Sequence, residues 1–120
     1  MRFLKRIIRR FFYFPAFFAR GMYALYYLRL RPALRPGLRV ESGTSCTVTQ
    51  KTYFCGRGAV HLGDRVILGF KKGGYFRGNC IEFILHAGAV VKVGAGTMFN
   101  NNVLISARQR IVFGADCLVG

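Results

Sequence analysis

Three ten-residue stretches of this chain can be laid over one another: V-H-L-G-D-R-V-I-L-G from Val60, V-K-V-G-A-G-T-M-F-N from Val91 and I-V-F-G-A-D-C-L-V-G from Ile111. The first and third columns are apolar: Val60, Val91 and Ile111, then Leu62, Val93 and Phe113. The fourth column is Gly63, Gly94 and Gly114. The seventh is small or β-branched, in Val66, Thr97 and Cys117, and the ninth is apolar again, in Leu68, Phe99 and Val119. Inward residues recur at steps of six: Leu62 to Leu68, Val93 to Phe99 to Ile105, Phe113 to Val119. Alternation around V-x-V is strand-like. A glycine straight after the inward residue fits a corner with an unusual dihedral or a close backbone approach. A short strand, a corner and one apolar residue every six positions predict a flat-faced β-solenoid.

The repeat spacing predicts where extra residues lie. Leu62 to Val93 is 31 residues and Val93 to Phe113 is 20, whereas three six-residue faces would take 18. Two extra residues are expected at Arg108–Arg110. A larger ejected loop is expected around Lys71–Cys80, which contains Gly73, Gly74 and Gly78. Val40 to Leu62 leaves room for one earlier, looser coil with Cys46 and Val48.

The front of the chain is a different composition. Of a net charge of +15, residues 1–40 carry +10, with ten Arg/Lys and no acid. Ten of the 18 Phe and Tyr lie there too, but only two of the 15 glycines. The boundary falls near Pro36-Gly37, giving a basic aromatic leader and linker over 1–36 and solenoid coils over 37–120. From Met1 to Phe12, basic Arg2, Lys5, Arg6, Arg9 and Arg10 oppose apolar Phe3, Leu4, Ile7, Ile8 and Phe11 on a helical period. The apolar runs Phe11–Ala19 and Met22–Leu28 are each too short to span a bilayer. Joined, they place Arg20 at the centre, at a cost of about 2.5–3.5 kcal/mol. The reading is an amphipathic helix on an anionic membrane surface, contacting it through residues 1–31. A true span, packing on the rest of the protein, and a targeting peptide are the alternatives. Arg29, Arg31, Arg35 and Arg39, with Pro32 and Pro36, read as a basic linker that ends the helix.

Residues 58–120, with V-K-V-G-A-G-T-M-F-N-N-N-V-L-I at their centre, resemble the hexapeptide-repeat acyltransferases. The resemblance implies a left-handed parallel β-helix, whereas parallel crossovers are otherwise right-handed. The most similar type is the sugar O-acetyltransferases of maltose/galactoside kind and of exopolysaccharide and capsule synthesis. What this implies is a homotrimer transferring an acetyl group from acetyl-CoA to a sugar or glycan acceptor, at sites between subunits. Cytoplasmic residence, peripheral to the inner membrane, follows from the resemblance together with the leader. The family's N-x-N is matched by Asn100 and Asn102, which become candidates for substrate binding, with corner hydrogen bonding as the alternative for Asn100. Ala107 stands where the carbohydrate pattern often has Asp. Lys92, Arg108 and Arg110 are candidates for the CoA phosphates; solvated faces explain them as well.

The family's general base is a His one turn beyond a segment like Ile111–Gly120, so that residue is expected past Gly120, and the chain by itself is expected to be an inactive N-terminal portion. His61, between Val60 and Leu62, and His86, in L-H-A-G, read as surface or loop residues. Cys46, Cys55, Cys80 and Cys117 lack metal-ligand spacing, so no metal is expected. Cys117 reads as a buried thiol in a reducing compartment. Gly69-Phe-Lys-Lys-Gly-Gly lacks the order of a phosphate loop. A non-catalytic, membrane-associated β-solenoid scaffold is the alternative function. Polyanion binding is a weaker one, because the basic residues concentrate in the leader rather than among aromatics on the β-face; no nucleic-acid partner is expected.

Overall fold

The computed structural model describes residues 21–70 and 79–120. The amphipathic pattern of Met1–Phe12, the run Phe11–Ala19 and most of the ejected loop lie outside the described residues. The protein is mainly β, with one short helix and two parallel sheets. The helix α1 covers residues 21–33, with a π-helical turn at Tyr26–Leu30 and a last α-turn at Arg31–Ala33. Nine strands follow: β1 Leu38–Ser42, β2 Thr47–Val48, β3 Thr52–Leu62, β4 Ile67–Leu68, β5 Ile81–Val93, β6 Met98–Phe99, β7 Leu104–Ala107, β8 Arg110–Phe113 and β9 Leu118–Val119. The first sheet runs β1-β3-β5-β7, with β8 also on β5; the second runs β2-β4-β6-β9.

The repeat columns become ladder partners. Val40 pairs with Val60, Val60 with Val91, and Val91 with Ile111. Val48, Leu68, Phe99 and Val119 form the matching row of the second sheet. Inward positions alternate with outward ones, so Val60, Leu62, Val91 and Val93 are buried while Lys92 is exposed. The core lies between the sheets. Phe54 stacks on Phe83 at 5.0 Å, Phe83 meets Phe99 edge-on at 5.6 Å, and Phe99 meets Phe113 at 5.2 Å.

At Gly63 and Gly94 the glycine column serves close approach, not an unusual dihedral; at Gly114 an added Cβ would meet nothing nearer than Cys117 Sγ at 3.7 Å. A Cβ on Gly63 would stand 2.8 Å from Ala95 N, and one on Gly94 would stand 2.5 Å from Ala115 N. Gly43, outside the three aligned stretches, is a further member of the column: its Cβ would lie 2.8 Å from Asp64 N. The positive φ values fall two residues later, at Ser45, Arg65, Gly96 and Asp116. Below the corners at Gly63 and Gly94 the seventh-column residue fills the space. Val66 and Thr97 are fully buried, and Thr97 Oγ1 donates to Gly114 O at 2.6 Å.

One expectation changes here. Leu68 to Ile81 takes thirteen residues where Val48 to Thr52 takes four, so nine of the extra residues fall between β4 and β5. Two more fall outside the expected loop, in β5 itself. There Gly56 pairs with Leu85 and Gly58 with Ala89, so His86, Ala87 and Gly88 bulge opposite Arg57. Arg108 and Gln109 form the bend between β7 and β8, as the spacing anticipates.

The basic linker is also different. The helix does not end before Arg29 but runs through Ala33, and Arg39 belongs to β1. Pro32 is tolerated because the preceding turn is π-helical: Arg31 N–H bonds back to Tyr26 O, and the proline follows with no donor to satisfy. One side of α1 packs on the sheet. Tyr27 and Leu28 are buried, Tyr27 meets the Tyr53 ring edge-on at 5.9 Å, and the Arg31 guanidinium sits 4.2 Å over the same ring. Burial, with Tyr53 and Tyr23 alongside, pushes the Tyr27 hydroxyl up to about 12. Among the described residues no helix is long and apolar enough to cross a membrane.

Candidate functional site

Strand alternation sends Lys92 and Arg110 to the same side of the first sheet, away from the core. The register sets two cross-strand rows there: Arg39, Ala59, Val90 and Arg110, then Glu41, His61, Lys92 and Val112. Glu41 is the one carboxylate in these rows, and both of its oxygens are engaged. Arg39 Nε lies 3.0 Å from Oε1, and His61 Nδ1 lies 2.9 Å from Oε2. Lys92 and Arg110 are exposed and, among the described residues, form no ion pair. The result is a solvent-facing strip with cationic groups free to meet an anion. Arg108 does not join it: it is exposed in the bend opposite residues 86–89. His61 is the outward residue expected, but its pairing with Glu41 becomes visible only with β1 and β3 in register.

The asparagine corner is the second element. The three residues 100–102 follow β6, where the chain turns from the second sheet back to the first. Asn102 is structural. Its φ is 64°, its Oδ1 accepts from Gln50 Nε2 at 3.0 Å, and its N–H donates to Gln50 Oε1 at 2.8 Å. Gln50 is buried, so this pair ties two corners 52 residues apart. Asn101, which carried no expectation, clamps the next corner: its Oδ1 accepts from Phe70 N–H and its Nδ2 donates to Phe70 O, both at 2.7 Å. Asn100 is exposed, and its Oδ1 accepts from Asn101 N–H at 2.9 Å. It lines a groove of about 440 Å³ with Phe70, Met98, Asp116, Cys117 and Leu118. Both residues of the N-x-N pair are exposed, but only Asn100 lines the groove.

This division makes a prediction. Asn102→Ala removes one hydrogen-bond acceptor of Gln50 and leaves alanine in the left-handed region. It is expected to cost about 2 kcal/mol in urea unfolding, whereas Asn100→Ala is expected to cost less than about 1 kcal/mol.

The cysteines do not form a reactive centre. Cys80 Sγ donates to Glu82 Oε1 at 3.3 Å, and burial first, then this bond, push the thiol up, away from the thiolate. Cys117, expected to be buried, is half-exposed on the groove, with Sγ 3.7 Å from Ala115 O. All four cysteines are free.

Compared with models of known families, with curated proteins and with solved structures, the chain has no match.

Proposed function

We propose that the two parallel sheets belong to a left-handed parallel β-helix of the hexapeptide-repeat type, and that the protein is a sugar O-acetyltransferase of surface-polysaccharide synthesis. In this reading the enzyme takes the acetyl group from acetyl-CoA, passes it to a sugar hydroxyl with a general base that is not assigned among residues 1–120, and works as a homotrimer at the cytoplasmic face of the inner membrane. The observation that carries the proposal is the recurrence of one corner. An inward residue, a glycine and a left-handed residue two places on repeat at Gly43, Gly63, Gly94 and Gly114, and the first three glycines lie against the next coil's backbone. Parallel pairing in steps of 20 or 31 residues accompanies them.

Fold alone does not give a reaction, so the substrate assignment rests on the side chains. Lys92 and Arg110 lie on one exposed face without a carboxylate partner among the described residues, which suits the phosphates of CoA. Asn100, on the groove, offers an amide to a sugar hydroxyl. Asn102 is held by Gln50 through its Oδ1 and its backbone N–H, so the acceptor contact is assigned to Asn100 first. The proton-transfer role is given to neither His61 nor His86.

Calorimetric titration of acetyl-CoA into the full chain tests the proposal. Binding is expected, with Lys92→Glu/Arg110→Glu lowering affinity about tenfold or more and added salt weakening the native protein in parallel. If the full chain bound no acetyl-CoA, or bound it equally well with both charges reversed, the proposal would fail. Assembly without acetyl-CoA binding would favour the scaffold instead.

A further inference from the structure

An ordinary surface helix buries an apolar stripe and shows water its polar side. Helix α1 does not. Its inner side is fixed on the sheet through Tyr27, Leu28 and Arg31. Its outer side is apolar too: Met22, Leu25, Tyr26 and Leu30 are 44–52% exposed, and Leu34, just past the helix, is 84% exposed. With Arg29, the first four follow the i, i+3, i+4, i+7, i+8 order of a single helical face. Arg29 is the one charge among them.

We infer that this outer face of α1 docks into the interface of an anionic phospholipid bilayer, and that the Tyr53 clamp makes the docked helix a rigid mount for the β-sheets. The inference rests on the membrane-face location proposed above and names the surface that makes the contact. Charge decides the occupant. Residues 21–40 hold four arginines and no acid, and residues 1–40 hold ten Arg/Lys and no acid. A second copy would bring like charges together, whereas an anionic headgroup layer attracts them. Arg29 has the reach to leave its stem among acyl chains and its guanidinium on a phosphate, and Tyr26 has an apolar ring with a polar tip, suited to the same depth. Arg31 is excluded from lipid contact because it is seated on Tyr53. Insertion of the outer face therefore sets how the first sheet stands on the membrane, independently of whatever residues 1–20 contribute to binding.

The chain contains no Trp, so one introduced indole reports alone. Leu30→Trp in the full chain is mixed with phosphatidylglycerol/phosphatidylcholine vesicles, with and without brominated acyl chains. The emission is expected to shift to the blue and to be quenched by the brominated lipid, while Val112→Trp on β8 shows neither. In flotation, Leu25→Glu/Leu30→Glu is expected to weaken vesicle binding about tenfold or more, with unchanged circular dichroism. If the full chain floats but the indole at position 30 stays in water, the docking inference fails and the membrane location stands. If the chain does not float, both fail. A blue shift that grows with protein concentration in the absence of vesicles would assign the face to a second copy and overturn the inference. None of these outcomes depends on acetyl-CoA.

Discussion

Gly56→Ala is expected to lower the unfolding free energy by about 4 kcal/mol, which would be seen in thermal melts as a drop of more than about 15 °C. Two separate penalties meet at this residue. Its φ is 100°, a region where an L side chain is strained by about 1–2 kcal/mol. The added Cβ would also run into the Leu85 carbonyl, a backbone group of the neighbouring strand that cannot step aside. Overpacking of that kind costs about 1–3 kcal/mol more. Gly88 and Gly94 separate the two effects. Gly88 has φ 79° with nothing within 4 Å of an added methyl, so Gly88→Ala should cost only about 1 kcal/mol. Gly94 has no positive φ but faces Ala115 N at 2.5 Å, so Gly94→Ala should cost about 2–3 kcal/mol from collision alone. Equal losses at Gly56 and Gly88 would mean that the close approach of β3 and β5 contributes nothing.

Phe83→Ala is expected to cost about 3–5 kcal/mol, measured by urea unfolding with an unchanged slope. Phe83 is fully buried and stands between Phe54, on the adjacent strand, and Phe99, on the other sheet. Removing it leaves a cavity bounded by two rings whose own positions are fixed by the ladder, so collapse is limited. Phe113 is a useful contrast. It meets Phe99 on one side only and is partly exposed, so Phe113→Ala should cost roughly half as much. A loss at Phe83 no larger than at Phe113 would contradict a single aromatic column joining the sheets.

What is legible in the sequence is whatever depends on near neighbours. The apolar columns around Val60, Val91 and Ile111 are set by alternation within a few residues, and each becomes a ladder row. The glycine column is legible as a corner, but its two explanations look alike in a sequence, because crowding by the next backbone is a property of the pairing. The seventh column is legible as small, though not the hydroxyl of Thr97 bonding Gly114 O. The misses involve distance along the chain. Gln50 and Asn102 are 52 residues apart, so nothing local marks the hydrogen bonds that tie their two corners. In L-H-A-G-A-V the bulge is hidden, since Leu85, Ala89 and Val91 still alternate around it. Pro32 suggests an earlier end to the helix than the one observed, because a π-helical turn that accommodates a proline leaves no composition of its own.

The interval between Leu68 and Ile81 has a consequence for engineering. Nine residues more than the equivalent step from Val48 to Thr52 enter the chain there, yet Ile81 pairs with Thr52 and Phe83 with Phe54. Alignment is restored by side chains dropping into place above their counterparts, not by measuring out chain. The molecule tolerates a change of contour length at this junction as a zip tolerates a tab sewn into its edge. The junction is therefore a natural port for foreign peptide: an affinity tag or an epitope spliced after Phe70, whose backbone Asn101 holds, and before Asn79 should leave the rows on either side undisturbed.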